Sequence, residues 1–171
     1  MSNANFTEIS PMELGNVFDL IGKKWMLVTA GNQNKFNTMT ASWGGMGVMW
    51  HKNIAVTVIR PSRYTYEFVD NNDTFSLSFF LDGYRDALNL CGTKSGRDID
   101  KVRAAGLTPV FDSDTVYFDQ ADIVLICKKL YTSAMSVDNF TDKELGKAMY
   151  PDGGEHVAFI GEIVKVFAKN N

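Results

Sequence analysis

The sequence has few of the side chains that hold metals, form disulfides or bind nucleic acid. Its two histidines, His51 and His156, lie far apart with no carboxylate cluster beside them, which disfavours a metal site. The two cysteines, Cys91 and Cys127, are also far apart and form no CxxC pair, which favours a reduced, cytoplasmic setting. Because 17 Lys and Arg stand against 20 Asp and Glu, the basic surface of a nucleic-acid binder is not expected.

Long apolar runs are missing as well. No run approaches the roughly 20 residues that a membrane-spanning helix needs. The N-terminal segment lacks the basic flank and apolar stretch of a secretory signal, and no GxGxxG dinucleotide fingerprint is present. With 45% hydrophobic and 22% charged residues, the composition is typical of a soluble globular protein. We expect one soluble domain over residues 1–171, without a membrane or nucleic-acid partner.

Two polar segments stand out between the apolar runs: NTMTASWGGMG at 37–47 and RPSRYT at 60–65. The second segment places Arg60 and Arg63 on either side of Pro61 and Ser62. Guanidinium forks and hydroxyls suit a phosphate, and exposed backbone groups suit the edge of a flat polar ring. Flavin mononucleotide (FMN) has both parts. The alternatives are that the hydroxyls satisfy a turn and that the arginines are solvated surface charges.

The hydrophobic pattern predicts more strand than helix. Strands are predicted at 25–30, 54–59, 75–81, 116–118, 122–130 and 156–168, with a bulge or bend at Gly161. Helices are predicted over 10–22, from Ser62, over 84–90, in a segment from Asp98 to Gly106 and weakly over 139–149. Residues 39–50 fit neither pattern and are interpreted as a strand edge followed by a loop. Strands that are interrupted by short helices, without regular strand–helix alternation, favour a mainly β fold: a β-barrel with peripheral helices.

Several motifs in one order resemble the flavin reductase-like family, in its flavoredoxin-type branch. They are WMLVTA at 25–30, NTMTASWGG at 37–45, IRPSRYT at 59–65, SGRDIDK at 95–101 and HxxxIGEI at 156–163. The resemblance covers nearly the whole chain and implies an FMN-binding split β-barrel that forms a homodimer. It also implies an enzyme that passes hydride from NADH or NADPH to flavin. The alternative is a non-enzymatic electron carrier with tightly bound FMN and a redox partner protein.

The resemblance also assigns cofactor-binding residues. The first group supplies backbone amides and hydroxyls: Asn37, Thr38, Met39, Thr40, Ala41, Ser42 and Trp43. Arg63 and Thr65 match phosphate contacts after the next strand, and Arg60 is a second candidate. The third group lies in a segment that commonly closes over the cofactor: Cys91, Ser95 and Lys101. One departure is that Gly153-Gly154-Glu155 precedes His156, where related chains often carry an acidic-aromatic pair.

The remaining candidates have two interpretations each. His156 is the candidate catalytic residue, able to orient a substrate or bond to the flavin; a structural role at a strand start is the alternative. Trp43 and Trp50 could belong to the core or stack on a ring. Cys91 could touch the cofactor or be buried, and Cys127 is predicted to be core. Haem or F420 in place of FMN is a further alternative, although haem would have to rely on His156 as its axial ligand.

Overall fold

The structure, a computed structural model, describes residues 5–112 and 115–170, and most of its strands belong to one antiparallel sheet. The strands are β1 (Phe6–Ile9), β2 (Met26–Gly31), β3 (Phe36–Ala41), β4 (Gly44–Met49), β5 (Lys52–Ile59), β6 (Thr74–Phe79), β7 (Pro109–Asp112), β8 (Thr115–Phe118), β9 (Ile123–Ala134) and β10 (Val157–Lys169). The sheet has eight strands in the order β3-β2-β6-β9-β10-β5-β4, with β1 added on β10. Strands β7 and β8 form a separate hairpin.

The helices are short and lie around the sheet. They are α1 (Val17–Asp19), α2 (Tyr64–Asn71), α3 (Arg85–Thr93), α4 (Lys101–Ala104) and α5 (Lys143–Met149). Turns of 3-10 helix occupy Pro11–Glu13 and Val137–Asn139, and a π turn occupies Leu20–Lys24. Across the described ranges, the helices lack the length and apolar character needed to span a bilayer.

Strand β10 pairs with three other strands of the sheet. It pairs with β9 along most of its length, while its other edge pairs first with β5, over Val157 to Glu162, and then with β1, over Val166 to Lys169. Residues from both ends of the strand order meet in one core, because Met39 of β3 belongs to the main core cluster and Met46 of β4 packs against it. The predicted mainly β class is confirmed, and the architecture is a split β-barrel.

Most predicted elements are confirmed with small shifts at their ends. Each of the six predicted strands has an observed counterpart, and α2 and α3 correspond to the helices predicted after Ser62 and over 84–90. Gly106, with a φ of +65°, ends α4 as predicted. Cys127 is fully buried in the main core, whereas Trp43 and Trp50 are 47% and 52% exposed and are not core residues.

The helix predicted over 10–22 is wrong as a single element. Its capping box exists, because the Ser10 hydroxyl accepts from the Met12 amide and Glu13 accepts from the Ser10 amide at 2.7 Å. The backbone of Leu14 then leaves the helical conformation. Asn16 is the N-cap of a new helix, because its side chain accepts a hydrogen bond from the Asp19 amide. A second capping residue in competition with helix continuation thus divides the segment into three short turns.

The loop predicted after the strand edge within 39–50 is also wrong, because β4 follows β3 directly and pairs with β5. Gly44 makes this approach feasible, since a Cβ there would lie 2.2 Å from the Val56 carbonyl oxygen. Trp50 and His51 form the two-residue loop between β4 and β5, both with positive φ. Such loops usually contain Asn-Gly, so Trp-His gave no hairpin signal.

The segment 91–101 is more helical than predicted at its start and less so at its end. Cys91 belongs to α3, and α4 begins at Lys101 with Asp100 as its N-cap, so Asp98 precedes the helix. The short strands β1 and β7 were not predicted. Both strands are four residues long. Strand β1 depends on the distant β10, and β7 pairs with β8 outside the barrel sheet, so the local hydrophobic pattern of each is weak.

Gly161 confirms the predicted irregularity, because the β9–β10 register shifts between Ile160 and Gly161. A Cβ at Gly161 would lie 2.8 Å from the buried Phe75 ring and 2.9 Å from Cβ of Cys127.

We expect Gly161→Ala to lower the free energy of unfolding by about 1–3 kcal/mol through overpacking. Chemical denaturation measures the free energy of unfolding of the variant and the wild type. Gly47→Ala on β4, where a Cβ meets nothing within 4 Å, is the control, and equal stabilities would contradict the prediction.

Candidate functional site

Two adjoining cavities lie at the end of β3. The first, which we call the groove, has a volume of about 330 Å³ and is lined by Met39, Thr40, Ala41, Ser42, Trp43, Val58, Arg60, Arg63 and His156. The second, which we call the basic pocket, has a volume of about 100 Å³ and is lined by Met39, Ser62, Arg63, Tyr64, Thr65, Cys91, Thr93, Lys94, Ser95, Gly96 and Lys101. Met39 and Arg63 line both, so the two cavities are neighbours.

The sheet register places Arg60 and His156 side by side in the groove. Ile59 of β5 pairs with Val157 of β10, and Arg60 and His156 are the next residues outward on the two antiparallel strands. Strand β3, on the opposite wall, stands at one end of the strand order and pairs with β2 on one side. A terminal strand leaves alternate backbone N–H and C=O groups without a strand partner. The groove thus combines a backbone edge with a cationic wall.

A tight turn brings Arg63 between the cavities. The Arg63 amide donates to the Arg60 carbonyl at 2.9 Å, which closes the turn Arg60-Pro61-Ser62-Arg63 with proline at its second position. The Arg63 side chain then reaches across to α3, where Nη1 donates to the Gly92 carbonyl at 3.0 Å. Arg63 therefore ties the start of α2 to the last turn of α3.

Lys101 is the most unusual residue of the basic pocket, because its side chain is 5% exposed. Its Nζ donates to the Cys91 carbonyl at 3.1 Å, and the described residues supply no second acceptor for an ammonium that can donate three hydrogen bonds. Burial lowers the pKa of Lys101; the Cys91 thiol raises this pKa, and the Arg63 guanidinium lowers it. A buried ammonium short of acceptors is the arrangement expected of a site for an anion.

The charges around the basic pocket are not balanced by the protein. Arg63 and Lys101 both bind carbonyls in the last turn of α3, which carries about half a negative charge from the helix dipole. Three cationic side chains line the pocket, namely Arg63, Lys94 and Lys101, whereas Asp and Glu are missing from its described lining. The partial negative charge at the end of α3 explains part of this clustering of cations. It does not cancel three positive charges, so the basic pocket keeps a net positive charge.

His156 lies beneath an aromatic ring and against a hydroxyl. Its imidazole is 5.2 Å from the Trp43 ring, centroid to centroid, and its Nδ1 is 2.8 Å from the Tyr150 hydroxyl. Burial lowers the pKa of His156, and the guanidiniums of Arg60 and Arg63 lower it further. The imidazole is therefore neutral near pH 7, because an ordinary histidine pKa is already about 6.5.

The structure brings the predicted site residues together, with two exceptions. All of them except Asn37 and Thr38 line the groove, the basic pocket or both. Asn37 is buried behind the pocket and donates from Nδ2 to the Thr65 hydroxyl at 2.8 Å. Thr38 lies on the opposite face of β3 from the core residues Met39 and Ala41, and its hydroxyl lies 2.8 Å from that of Thr29. Its side chain therefore supports the sheet instead of facing either cavity.

Several hydroxyls that were predicted to contact a cofactor have protein partners. Thr40 donates to the Leu88 carbonyl of α3, and the Thr65 hydroxyl accepts from Asn37. The hydroxyls of Thr38 and Thr40 thus have protein partners, and contact of these two residues with a cofactor stays a prediction. Cys91 is both buried, at 1% exposure, and part of the pocket lining, so its two interpretations are compatible.

Sequence reasoning missed three kinds of site residue. Tyr150 lies in a segment with a weak helical pattern and no chemical motif, so no signal connected it with His156. Ser62 lies inside the RPSRYT motif and could have been included with it. Thr93, Lys94 and Gly96 lie within the segment that the resemblance placed over the cofactor, and small or basic residues there were the available signal.

A larger cavity of about 460 Å³ adjoins the groove and shares Ser42 and Trp43 with it. Its other lining residues are apolar or glycine: Val17, Phe18, Ile21, Gly22, Gly44, Gly45 and Met46. Because its described lining carries no charge, it does not serve as the anion site. Metal binding has no support from the part of the chain that the structure describes, where no three His, Cys, Asp or Glu residues cluster.

Solved structures with this fold include several flavin-binding proteins. The flavoredoxin of Desulfovibrio vulgaris (Miyazaki F) is 21% identical, with a TM-score of 0.68 over 95% of this chain and 77% of that one. An FMN-binding domain of a flavin reductases-like enzyme from Shewanella baltica OS155 is 15% identical, with a TM-score of 0.68 over 96% and 78%. An NADH:FAD oxidoreductase of Streptomyces globisporus C-1027, in complex with NAD and FAD fragments, is 16% identical, with a TM-score of 0.62 over 85% and 74%.

At the level of sequence, no curated protein is detectably similar to this chain. The family model of the flavin reductase like domain, in contrast, matches residues 18–171. This match includes the groove and the basic pocket in full. The chain therefore belongs to the flavin reductase-like family.

Proposed function

We propose that the chain binds FMN across the groove and the basic pocket and passes hydride to it from NADH or NADPH. The observation that carries the proposal is the buried Lys101 ammonium, which has one protein acceptor and faces a cationic pocket at the end of the groove. Family membership supports a flavin as the ligand. The Streptomyces oxidoreductase, with NAD and FAD fragments bound, supports a nicotinamide donor.

The basic pocket would hold the phosphate. A dianion there would supply the acceptors that Lys101 lacks and would offset the repulsion between Lys101 and Arg63. Hydroxyls of Ser62, Thr93 and Ser95 line the same space and can donate to phosphate oxygens. The volume of about 100 Å³ suits a phosphate group and excludes the flavin ring.

The groove would hold the ring system. The unpaired backbone edge of β3, from Met39 to Ala41, offers donors and acceptors to the polar edge of a flat ring. Trp43, which is 47% exposed, is available for stacking. Met39 lines both cavities, so a ligand that carries a phosphate on a chain beside a ring can occupy both at once.

When bound, the flavin supplies the redox chemistry as a hydride acceptor. The protein contributes position and charge: Arg60 and Arg63 set a positive potential along the groove wall, which favours the negative charge that reduction places on the ring. His156 contributes a neutral imidazole beside Trp43. An electron carrier would use the same residues to bind flavin, so the two functions differ in whether nicotinamide reacts.

Removing one pocket cation should weaken FMN binding selectively. We expect Lys101→Met or Arg63→Ala to reduce FMN affinity about 10- to 100-fold, because each removes a charge-assisted hydrogen bond to phosphate. Riboflavin, which has no phosphate, should bind Lys101→Met and the wild type equally, because Lys101 does not line the groove. Fluorescence titration measures both affinities, with Lys147→Ala on α5 as the matched control. Equal losses for FMN and riboflavin would exclude the phosphate assignment.

The hydride reaction is tested by anaerobic visible spectroscopy of the protein with FMN. We expect the flavin absorption to bleach within seconds after addition of NADH or NADPH, because the groove leaves a ring face open to a second ligand. Bleaching by dithionite but by neither nucleotide would replace the reductase with the electron carrier. A failure of FMN to bind would refute the flavin site itself.

We also propose that two copies associate through the apolar surface around Phe18. Phe18 is 90% exposed and Val48 is 74% exposed, and Phe18 lines the apolar cavity that adjoins the groove. We expect a dimer in analytical ultracentrifugation, a monomer for Phe18→Asp, and a dimer for the control Leu145→Asp on α5. A monomeric wild type would end this proposal.

The cytoplasmic location and a protein that accepts the electrons stay predictions.

A further inference from the structure

Tyr150 lies outside the described lining of the groove, yet it contacts the one histidine that lines it. Tyr150 follows α5 directly and is 6% exposed. Its hydroxyl oxygen is 2.8 Å from Nδ1 of His156, six residues further along the chain. A buried hydroxyl on that nitrogen leaves Nε2 as the ring nitrogen that can meet a ligand.

The Tyr150 ring is itself held by residues of the site. The Arg60 guanidinium lies 5.4 Å from the ring centroid, and Arg60 Nη2 donates to the Met149 carbonyl at 3.3 Å. The edge of the ring meets Phe140 at a centroid distance of 6.1 Å. Arg60 thus contacts both the groove and the tyrosine, so the hydroxyl is positioned by contacts separate from its own hydrogen bond.

Proton counting assigns the roles in the Tyr150–His156 bond. A tyrosine hydroxyl carries one proton that it can donate in a hydrogen bond. The described residues offer this hydroxyl no acceptor other than Nδ1 of His156. If the hydroxyl donates to Nδ1, a neutral imidazole must carry its own proton on Nε2. The charged groups that face the ring, Arg60 and Arg63, are both cationic and favour the neutral form.

We propose that Tyr150 is a positioning residue that fixes His156 as the Nε2–H tautomer, so that the groove presents an N–H donor to a carbonyl oxygen of its ligand. The ligand carbonyl belongs to the flavin or to the nicotinamide carboxamide, so this inference rests on the proposed function. Tyr150 itself touches neither. The Tyr150 hydroxyl keeps the imidazole from rotating. It also prevents the ring from presenting an unprotonated nitrogen to a ligand carbonyl, which can only accept a hydrogen bond.

The tautomer can be measured directly by two-bond 1H–15N correlation spectra of the histidine rings near pH 7.5. The chain has two histidines, so His51→Gln assigns the His156 signals without ambiguity. We expect the wild type to show protonated Nε2 and unprotonated Nδ1 for His156. Tyr150→Phe keeps the ring between Arg60 and Phe140 and removes the hydroxyl, so we expect averaged signals from both tautomers. Tyr131→Phe, at a half-exposed tyrosine on β9, is the matched control.

The rate measurement tests the consequence. With the nucleotide that bleaches bound FMN, we expect the bleaching rate constant of Tyr150→Phe to fall about 5- to 10-fold, the size expected for one neutral hydrogen bond. FMN affinity should change by less than about twofold, since the basic pocket is intact. The control Tyr131→Phe should match the wild type in both quantities.

The outcomes separate the two proposals. Wild-type His156 protonated on Nδ1, or identical ring spectra for wild type and Tyr150→Phe, would overturn the positioning role. An unchanged bleaching rate despite a changed tautomer would overturn it as well. If the wild type binds no FMN, the proposed function fails, whereas the ring spectra still decide whether Tyr150 fixes the tautomer.

Discussion

The pairing of β10 is the constraint on which the rest of the structure depends. One strand of thirteen residues hydrogen-bonds to β9 on one edge and to both β5 and β1 on the other, so it determines where the sheet curves. Gly161 allows this, because a side chain at the register shift would collide with the buried Phe75. The same register carries Arg60 and His156 to adjacent positions at the mouth of the groove. The barrel sheet and the groove therefore depend on the same strand pairing.

Electrostatics distinguishes the site from the rest of the surface. The ion pair of Lys147 with Glu144, for example, is exposed and balanced, and such pairs contribute little to stability. In the basic pocket, Lys101 is buried without a carboxylate, at a cost that the Cys91 carbonyl offsets in part. An anion that completes these contacts would stabilise the folded protein as it binds, by linkage. Helix α3, which supplies the carbonyls for both cations, would couple the binding of such an anion to local stability.

The parts of the fold that sequence patterns predicted are those whose signal is local. Val and Ile runs such as 54–59 have high strand propensity wherever they lie, and proline at position 61 ends the strand by chemistry alone. The failures depend on distant partners. Strand β4 is rich in glycine, and its approach to Val56 required that absence of side chains. The helix over 10–22 was expected from its caps, but a second cap at Asn16 competes with the first.

The sequence by itself determined the chemical inventory: the polar segment at 37–43, the arginine turn at 60–65 and the family to which their order belongs. The tertiary structure alone decided which of these groups line a cavity. The Thr38 hydroxyl pairs with Thr29 on the sheet face opposite the main core, whereas Lys101 is buried beside a helix end where the Cys91 carbonyl is its one acceptor among the described residues. Tyr150 became a partner of His156 through the path of the chain after α5. Residue types are local properties, but burial, register and hydrogen-bond partners arise when distant segments pack together.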